Sequence, residues 1–201
     1  MKVMVIGATG MIGRAVVEQL SLRHELVKVG HKDGEYRVDI SSPDSIKKLY
    51  EAVGPIDAVV SAAGVAKFAP LDQLTDEDFL LSVSNKLMGQ INLVRIGSRY
   101  IRDNGSFTLT SGLLGREPMK GSAAISLVNA GIDGFVRAAA LELPRGRRVN
   151  AISPVWVKET LVTLGMDPTS GMPAKEVALA YAESVEGKRN GEVLDTRSFG
   201  K

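Results

Sequence analysis

A single α/β domain, with helices on both faces of a parallel sheet, is the fold class that the sequence predicts. Strand patterns alternate with helical patterns along the chain, most strand patterns are continuously apolar, and the chain has 201 residues. Continuously apolar strands are typical of parallel sheets, whose strands are buried on both faces. A chain of this length can bury a substantial core but has little room for a second domain. We therefore expect residues 1–201 to form one domain.

The N-terminal stretch MKVMVIGATGMIGR contains the most informative pattern in the chain. A β-branched strand is followed by a turn and then by helical spacing. Gly7 permits the tight turn, Gly10 lets the backbone approach a pyrophosphate, and Gly13 lets the helix pack close to the strand. Free N–H groups at the helix N-terminus favour phosphate binding. The stretch predicts the start of a doubly wound, Rossmann-type sheet that binds a dinucleotide; the alternative is a turn whose glycines serve backbone geometry alone.

The second strand, predicted over 25–30, ends where such a site selects its cofactor. An acidic residue there binds the ribose of NAD, whereas basic residues accommodate the 2′-phosphate of NADP. His31 and Lys32 follow the strand, Asp33 comes late, and Arg14 follows the third glycine. We therefore expect NADP rather than NAD, although exposed cations are also common in solvated loops.

The third strand, predicted over 36–39, follows the second too soon for a helical crossover. We infer that a helix is missing between them. Asp39 and Ile40 are expected to contact the adenine of the cofactor. A helix over 42–52 comes next, capped by Ser41 or Ser42 and with Pro43 in its first turn.

Small residues end the following strand, AVVSAAG, over 58–64. Ala62, Ala63 and Gly64 would let a cofactor ribose lie against the backbone. The remaining elements are predicted as a mostly helical stretch over 75–102, a strand over 106–110 after a turn at 104–105, a helix over 123–143, a strand over 148–153, a helix over 175–186 and a last strand over 192–194.

The composition excludes several classes of function. The chain has no cysteine, so disulfides, thiolate nucleophiles and cysteine-based metal sites are excluded, and we expect no metal. The 25 basic and 23 acidic residues nearly cancel, which favours neither nucleic acid nor a membrane surface as a partner. The basic run at 145–148 is interpreted as a solvated loop. No signal-peptide layout or membrane-spanning apolar run is apparent, and we expect a cytoplasmic protein.

Six ordered stretches resemble the short-chain dehydrogenase/reductase family. They are GATGMIG near the N-terminus, VDI at 38–40, SAAG at 61–64, GSFTLTS at 105–111, GFVRAAALEL at 134–143 and RVNAISP at 148–154. The resemblance implies hydride transfer between NAD(P)H and a carbonyl or alcohol. The residues expected to hold the cofactor are Gly7, Thr9, Gly10, Met11, Ile12, Gly13, Arg14, His31, Lys32, Asp39, Ile40, Ala62, Ala63, Gly64, Pro154 and Val157.

The resemblance also implies four catalytic residue types: a tyrosine acid, a lysine, a serine and an upstream asparagine. Aligned without gaps, the tyrosine position is Ile125, the lysine position Asn129, the serine position Gly112 and the asparagine position Lys86, with Asn85 one residue out of register. None of these residue types is in place. Because Ile125 cannot exchange a proton, any reaction of this kind needs another acid.

Substitute acids occur in the same region, but a structural role is the stronger interpretation for each. Ser126 and Asn129 are expected to be polar positions on a mostly buried helix, and Lys86 and Lys120 to be surface groups. Ser111 could still hydrogen-bond a ligand. The remaining candidate is Ser122. The segment 158–173, where family members often carry a lid, is short and predicts a narrow, loosely covered pocket.

Two functions therefore remain open. The first is an NADP-dependent oxidoreductase of atypical short-chain type acting on a small carbonyl or alcohol. The second is an NADP-binding sensor or partner-binding protein that kept the fold and lost the chemistry. The sequence favours the first as an assignment and leaves turnover open. The resemblance further implies a homodimer or homotetramer formed through the helices at 75–102 and 123–143.

Overall fold

The computed structural model describes residues 1–200 and contains one sheet of seven parallel strands in the order β3-β2-β1-β4-β5-β6-β7. This order is that of a doubly wound Rossmann-type fold, so the predicted fold class is confirmed. The strands are β1 (Lys2–Ile6), β2 (Glu25–Gly30), β3 (Tyr36–Arg37), β4 (Ile56–Ser61), β5 (Ile101–Thr110), β6 (Arg148–Ser153) and β7 (Val193–Asp195).

Helices cover both faces of this sheet. The α-helices are α1 (Met11–Ser21), α2 (Pro43–Val53), α3 (Asp76–Ser82), α4 (Met88–Gly97), α5 (Ala123–Glu142), α6 (Lys158–Thr163) and α7 (Ala174–Glu186). Helices α1 and α7 pack together on one face, and α2, α4 and α5 bury their apolar residues against the other. The two resulting apolar layers meet the alternate faces of β1, where Val3 and Val5 point to one layer and Met4 and Ile6 to the other.

The inference of a missing helix between the second and third strands is confirmed. Strand β3 pairs parallel to β2, with Val29 opposite Tyr36, and the connection between them has no helix. In contrast, α2 has the start that its sequence predicts: the Ser42 hydroxyl accepts the Ser45 N–H at 3.2 Å, and Pro43 occupies the first turn.

The predicted helical stretch over 75–102 is wrong at its C-terminal end. Helix α4 ends at Gly97, and β5 begins at Ile101, earlier than the predicted 106. Asn104 and Gly105, predicted as a turn, lie within β5. Asn104 adopts a left-handed conformation (φ 61°) and donates its N–H to the Arg145 carbonyl at 3.0 Å. An asparagine tolerates this conformation, so the strand is locally distorted without ending.

The interpretation of the basic run as a solvated loop is wrong for two of its arginines. Arg147 is 8% exposed and donates to the Ser98 carbonyl at 2.7 Å. Arg148 donates to the carbonyls of Ser184 and Val185, each at 3.0 Å. Both guanidinium groups satisfy backbone carbonyls at the ends of α4 and α7, which a lone run of arginines in the sequence does not reveal.

Helix α5 is long and apolar enough to cross a membrane by length and composition alone, and it is the one such helix within residues 1–200. This corrects the expectation that no apolar run reaches that length. In the structure the helix packs against the sheet and buries Asn129 and Asp133 beside apolar residues. A core helix of a soluble α/β domain meets the same criterion of length and composition.

Candidate active site

A continuous cleft runs along the carboxyl ends of the strands, next to β1 and β4. After β1 the chain adds strands on one side of the sheet, and after β4 it adds them on the other. An outer cavity of ≈ 290 Å³ and an inner cavity of ≈ 250 Å³ share Ala62, Ala63 and Gly64 in their walls. In doubly wound sheets, ligands bind at this switch point. The cleft is therefore the candidate site.

The glycine turn after β1 forms the floor of the outer cavity. Gly7 adopts φ +83°, and the N–H groups of Gly7 and Ala8 both donate to the Val29 carbonyl, at 2.9 and 3.1 Å. Gly10 precedes α1 and has no side chain that could cap it. The Gly10 carbonyl accepts the Arg14 N–H at 2.9 Å, which is the first hydrogen bond of the helix. The N–H groups of the intervening residues are left for another acceptor. This cradle fits a phosphate group.

Gly13 has a packing role, as the sequence predicts. A Cβ at this position would overlap the Gly7 carbonyl oxygen and lie 2.7 Å from the Gly7 carbonyl carbon. Because both atoms belong to the backbone, no side-chain movement could make room. The glycine spacing thus holds the start of α1 against the turn that carries the cradle.

The structure brings most of the predicted cofactor residues to the cleft. Those lining the outer cavity are Gly7, Thr9, Gly10, His31, Asp39, Ile40, Ala62, Ala63 and Gly64. Those lining the inner cavity include Ile12, Pro154 and Val157. The other four do not line either cavity: Gly13 is buried in the turn, and Met11, Arg14 and Lys32 are exposed beside it.

Asp39 is already engaged by its own loop. Its carboxylate accepts the Ser41 N–H at 2.9 Å and the Ser41 hydroxyl at 2.6 Å. These hydrogen bonds, with a smaller contribution from nearby His31, hold the pKa of Asp39 below its usual value. Asp39 therefore presents a negative charge at the rim of the outer cavity, in a fixed orientation.

The four positions matched to the family's catalytic residues converge on the inner cavity. Lys86, Gly112, Ile125 and Asn129 all line it, together with Ser111. The other sequence candidates do not: the Ser126 hydroxyl donates to the Ser122 hydroxyl at 2.9 Å, Ser122 donates to the Met119 carbonyl at 2.7 Å, and Lys120 is exposed.

The Asn129 side chain occupies the space that a side chain at Gly112 would need. Gly112 has φ +156°, and a Cβ there would lie 2.8 Å from the Asn129 Nδ2. Asn129 is 1% exposed, and its Oδ1 has no hydrogen-bond partner among the described residues. A serine at 112 would have to displace this amide. The two residues therefore form a complementary pair at the wall of the cavity.

Lys86 is not the surface group that the sequence suggested. It lies in a π-helical segment, Val83–Leu87, that separates α3 from α4. Its Nζ donates to the Ser111 carbonyl at 3.1 Å, while the Asn85 Oδ1 accepts the Val65 N–H at 2.8 Å. The π-segment thus directs Asn85 to the outer cavity and Lys86 to the inner one. Segments of this kind occur frequently at functional sites.

Burial changes the proton affinity of Lys86. Lys86 is half-buried in the cavity wall, and the reduced hydration of its ammonium there lowers its pKa from 10.5 to about 8. The negative charge of Asp133 opposes this shift. Lys86 is the sole ionisable group lining the inner cavity within residues 1–200. The cavity therefore contains one proton donor whose pKa lies near neutrality.

This depressed pKa predicts a pH dependence of stability. Below about pH 8 Lys86 is charged in both folded and unfolded chains, and the cost of burying the charge is present in full. Between about 8 and 10.5 the unfolded chain binds the extra proton, so this cost is relieved as the pH rises. As the pH rises from 7.5 to 10.5, the unfolding free energy of wild type should increase by about 3 kcal/mol more than that of the Lys86→Met variant. Urea unfolding at pH 7.5 and 10.5 measures the difference; a constant difference would contradict the burial of the ammonium.

Sequence reasoning missed the apolar closure of the inner cavity. Trp156 lines it and packs edge-on against Phe68, with ring centroids 6.3 Å apart, and Thr160 of α6 lies beside it. The available signals were the chain's single tryptophan, two residues after Pro154, and the apolar pair Leu161 and Val162 in the 158–173 segment.

Comparisons with known proteins agree with this geometry. The family model described as enoyl-(acyl carrier protein) reductase matches residues 10–191. A short-chain dehydrogenase/reductase of Stachybotrys chlorohalonatus is 32% identical over 163 residues, which cover 76% of this chain and 62% of that protein. The chain thus spans less than two thirds of the length of this relative.

Two solved structures extend the likeness to the whole fold. A protein of Listeria innocua is 42% identical, with a TM-score of 0.94 and coverage of 97% of this chain and 98% of that one. A small-chain dehydrogenase in complex with NADPH is 26% identical, with a TM-score of 0.85 and coverage of 96% and 95%. With the matched family model, these findings show that the chain belongs to the short-chain dehydrogenase/reductase family.

Proposed function

We propose that this protein binds NADP(H) and uses it to interconvert a small carbonyl compound and its alcohol. The observation that carries the proposal is the junction of two cavities: a phosphate-binding turn opens into an inner cavity whose sole ionisable group, within residues 1–200, is Lys86. The NADPH complex of the 26% identical dehydrogenase supports the choice of cofactor.

The residues of this chain fit the cofactor along the cleft. The free N–H groups at the start of α1 would hold the pyrophosphate, and Gly64 lets the segment after β4 pack directly on Lys86, since a Cβ there would come within 2.8 Å of the Lys86 Cγ. No carboxylate directly follows β2, and the basic residues Arg14 and Lys32, with His31, come where a 2′-phosphate would lie. These features favour NADP over NAD.

The preference for NADP is testable by removing the two exposed cations. The double variant Arg14→Ala/Lys32→Ala is expected to bind NADPH about tenfold more weakly and NADH with unchanged affinity, because only NADPH carries the 2′-phosphate. Isothermal calorimetry measures both constants. Lys188→Ala removes an exposed lysine near the amino end of β7 and is the control. Equal losses for both cofactors would contradict the assignment.

Within the inner cavity, the residues perform three tasks. When bound, the reduced nicotinamide supplies the hydride. Lys86, held by the Ser111 carbonyl, donates a proton from Nζ to the oxygen that gains charge. The Asn129 amide hydrogen-bonds that oxygen or the ribose. Ile125 and Trp156 form apolar walls that exclude water. The volume of ≈ 250 Å³ restricts the substrate to a small molecule.

The activity test is NADPH oxidation across a panel of small aldehydes and ketones, with alcohol oxidation as the reverse assay. The proposal expects turnover that saturates with at least one substrate. NADPH binding without oxidation above background would contradict it and favour the second candidate, an NADP(H)-binding sensor or partner-binding protein. One observation supports that second candidate: no tyrosine among residues 1–200 lines the inner cavity.

We also propose that the chain forms a homodimer or homotetramer through α4 and α5. Apolar side chains remain uncovered on both helices: Met88 at the start of α4 is 39% exposed, and Leu127 and Leu141 of α5 are 51% and 88% exposed. A groove between the helices is lined by Ile91, Phe135 and Ala139. Light scattering at micromolar concentration would measure the assembly, and a monomer would contradict the proposal.

A further inference from the structure

A glutamine side chain is fully buried where α4 meets the end of β5. Gln90 lies in the first turn of α4, four residues after Lys86, and is 0% exposed. A buried amide group is costly to a fold unless its polar atoms find hydrogen-bond partners. The partners of this amide therefore show which parts of the chain the residue holds together.

The Gln90 amide pairs with the backbone of Thr110 as a neighbouring strand would. Its Oε1 accepts the Thr110 N–H at 2.7 Å, and its Nε2 donates to the Thr110 carbonyl at 2.8 Å. The register between β4 and β5 ends two residues earlier, with Val60 opposite Thr108. Gln90 thus supplies the two hydrogen bonds that a longer β4 would give to the end of β5.

The same amide also binds Lys86. The Gln90 Nε2 donates to the Lys86 carbonyl at 3.2 Å, and because a primary amide has two N–H groups, it can bind the strand and the lysine together. The Lys86 Nζ donates to the carbonyl of Ser111, the residue after Thr110. Lys86 is therefore tied to the end of β5 at two places, at its backbone through Gln90 and at its ammonium directly.

The end of β5 is itself anchored by its side chain. The Thr110 hydroxyl donates to the Ser61 carbonyl and accepts the hydroxyl of Tyr181 at 2.6 Å. Tyr181 is fully buried on α7, which covers the opposite face of the sheet from α4. Thr110 also lines the inner cavity. Gln90 thus connects Lys86 to a part of the cavity wall that is held from both faces of the sheet.

We propose that Gln90 is a positioning residue that holds the Lys86 ammonium in the wall of the inner cavity by fixing the lysine backbone to the end of β5. This inference rests on the proposed function, in which that ammonium is the proton donor. Gln90 lines neither cavity, so it acts through Lys86 and not on the substrate. A donor fixed at both ends is oriented before the substrate arrives.

The test is the titration of Lys86 in the Gln90→Met variant, which keeps the length of the side chain and removes its hydrogen bonds. With its backbone no longer tied to Thr110, the Lys86 ammonium should turn toward water in the cavity. The pKa of Lys86 should then rise from about 8 to about 9, because hydration favours the charged form. Carbon-13 NMR of the lysine Cε–Hε signals measures this in the cofactor-free protein, with the Lys86 signal assigned by its absence from Lys86→Met.

Asn150 supplies the matched control. It is also 0% exposed, and its side-chain amide binds backbone groups, the Arg189 carbonyl at 2.8 Å and the Glu192 N–H at 3.1 Å. It lies on β6 and lines neither cavity. Asn150→Leu should therefore lower the urea midpoint by an amount similar to that of Gln90→Met, while the titration of Lys86 stays unchanged.

A Lys86 pKa that is unchanged or lower in folded Gln90→Met would overturn the proposal, and so would an equal rise in Asn150→Leu. If Gln90→Met does not fold, Gln90→Asn takes its place under the same criteria, because the shorter amide cannot reach Thr110 and Lys86 together. These titrations need no turnover, so an absence of NADPH oxidation would defeat the proposed function separately.

In turnover, the positioning role predicts an effect on the chemical step alone. Gln90→Met should lower kcat about tenfold and leave the Kd for NADPH unchanged, because a misplaced donor slows proton transfer without weakening binding. Asn150→Leu should change neither quantity. A loss of NADPH affinity with an unchanged kcat would contradict the positioning role.

Discussion

Replacing Gly13 by alanine is expected to destabilise the protein by about 3 kcal/mol and to abolish NADPH binding by the fraction that remains folded. The added Cβ would overlap the Gly7 carbonyl oxygen, which belongs to the backbone of the cradle and cannot move as a side chain would. Relief of this overlap requires α1 to move away from the turn, which disrupts the phosphate site. Urea unfolding gives the free energy of unfolding, and calorimetry gives the affinity.

The chain contains a matched control for this glycine. Gly134 lies within α5, and a Cβ there would have no neighbour within 4 Å. Gly134→Ala is therefore expected to stabilise the protein by about 0.5–1 kcal/mol, since alanine restricts the unfolded chain and favours the helix. If Gly13→Ala unfolded at the same urea concentration as wild type, the close packing of α1 on the turn would be wrong.

Lys86→Met is expected to lower NADPH-dependent turnover by about 10²–10⁴-fold, the usual contribution of a positioned proton donor. Methionine has a similar length and no proton to donate. At pH 7 the unfolding free energy should stay within about 1 kcal/mol of wild type, because the cost of burying the ammonium offsets the hydrogen bond lost at the Ser111 carbonyl. Steady-state kinetics and urea unfolding measure the two effects on the same preparation.

Lys120→Met is the matched control for Lys86→Met, since Lys120 is exposed and outside both cavities. It should leave kcat, KM and stability unchanged. Turnover by Lys86→Met at the wild-type rate would show that the proton comes from another group. A loss of NADPH affinity without a fall in kcat would place Lys86 on the cofactor and not on the substrate oxygen.

The sequence was sufficient to predict the fold and the glycine turn after β1 because both depend on local patterns. A continuously apolar strand such as β1 can be buried only between two layers, and the spacing of Gly7, Gly10 and Gly13 has a backbone reason at each position. The absence of a helix between β2 and β3 was also predictable, because a helical crossover between parallel strands needs more residues than this connection has.

The errors concern residues whose environment is set by distant segments. Arg147 looks like a surface cation until the carbonyl of Ser98 is brought to it by the end of α4. Lys86 looks exposed until the carbonyl of Ser111 is brought to its ammonium by the end of β5. Long-range contacts override the usual preference of a charged side chain for water, and periodicity carries no information about them.

The π-helical segment Val83–Leu87 also limits which changes this part of the chain can tolerate. A π-turn contains one more residue than the α-turn it replaces. Deleting one residue here would convert it into an α-turn and leave α3 and α4 in nearly their present orientations, since both kinds of turn complete about 360°. The extra residue is what lets Asn85 line the outer cavity and Lys86 the inner one. Such a deletion is therefore expected to keep α4 packed on the sheet and to cost the site one of these two side chains.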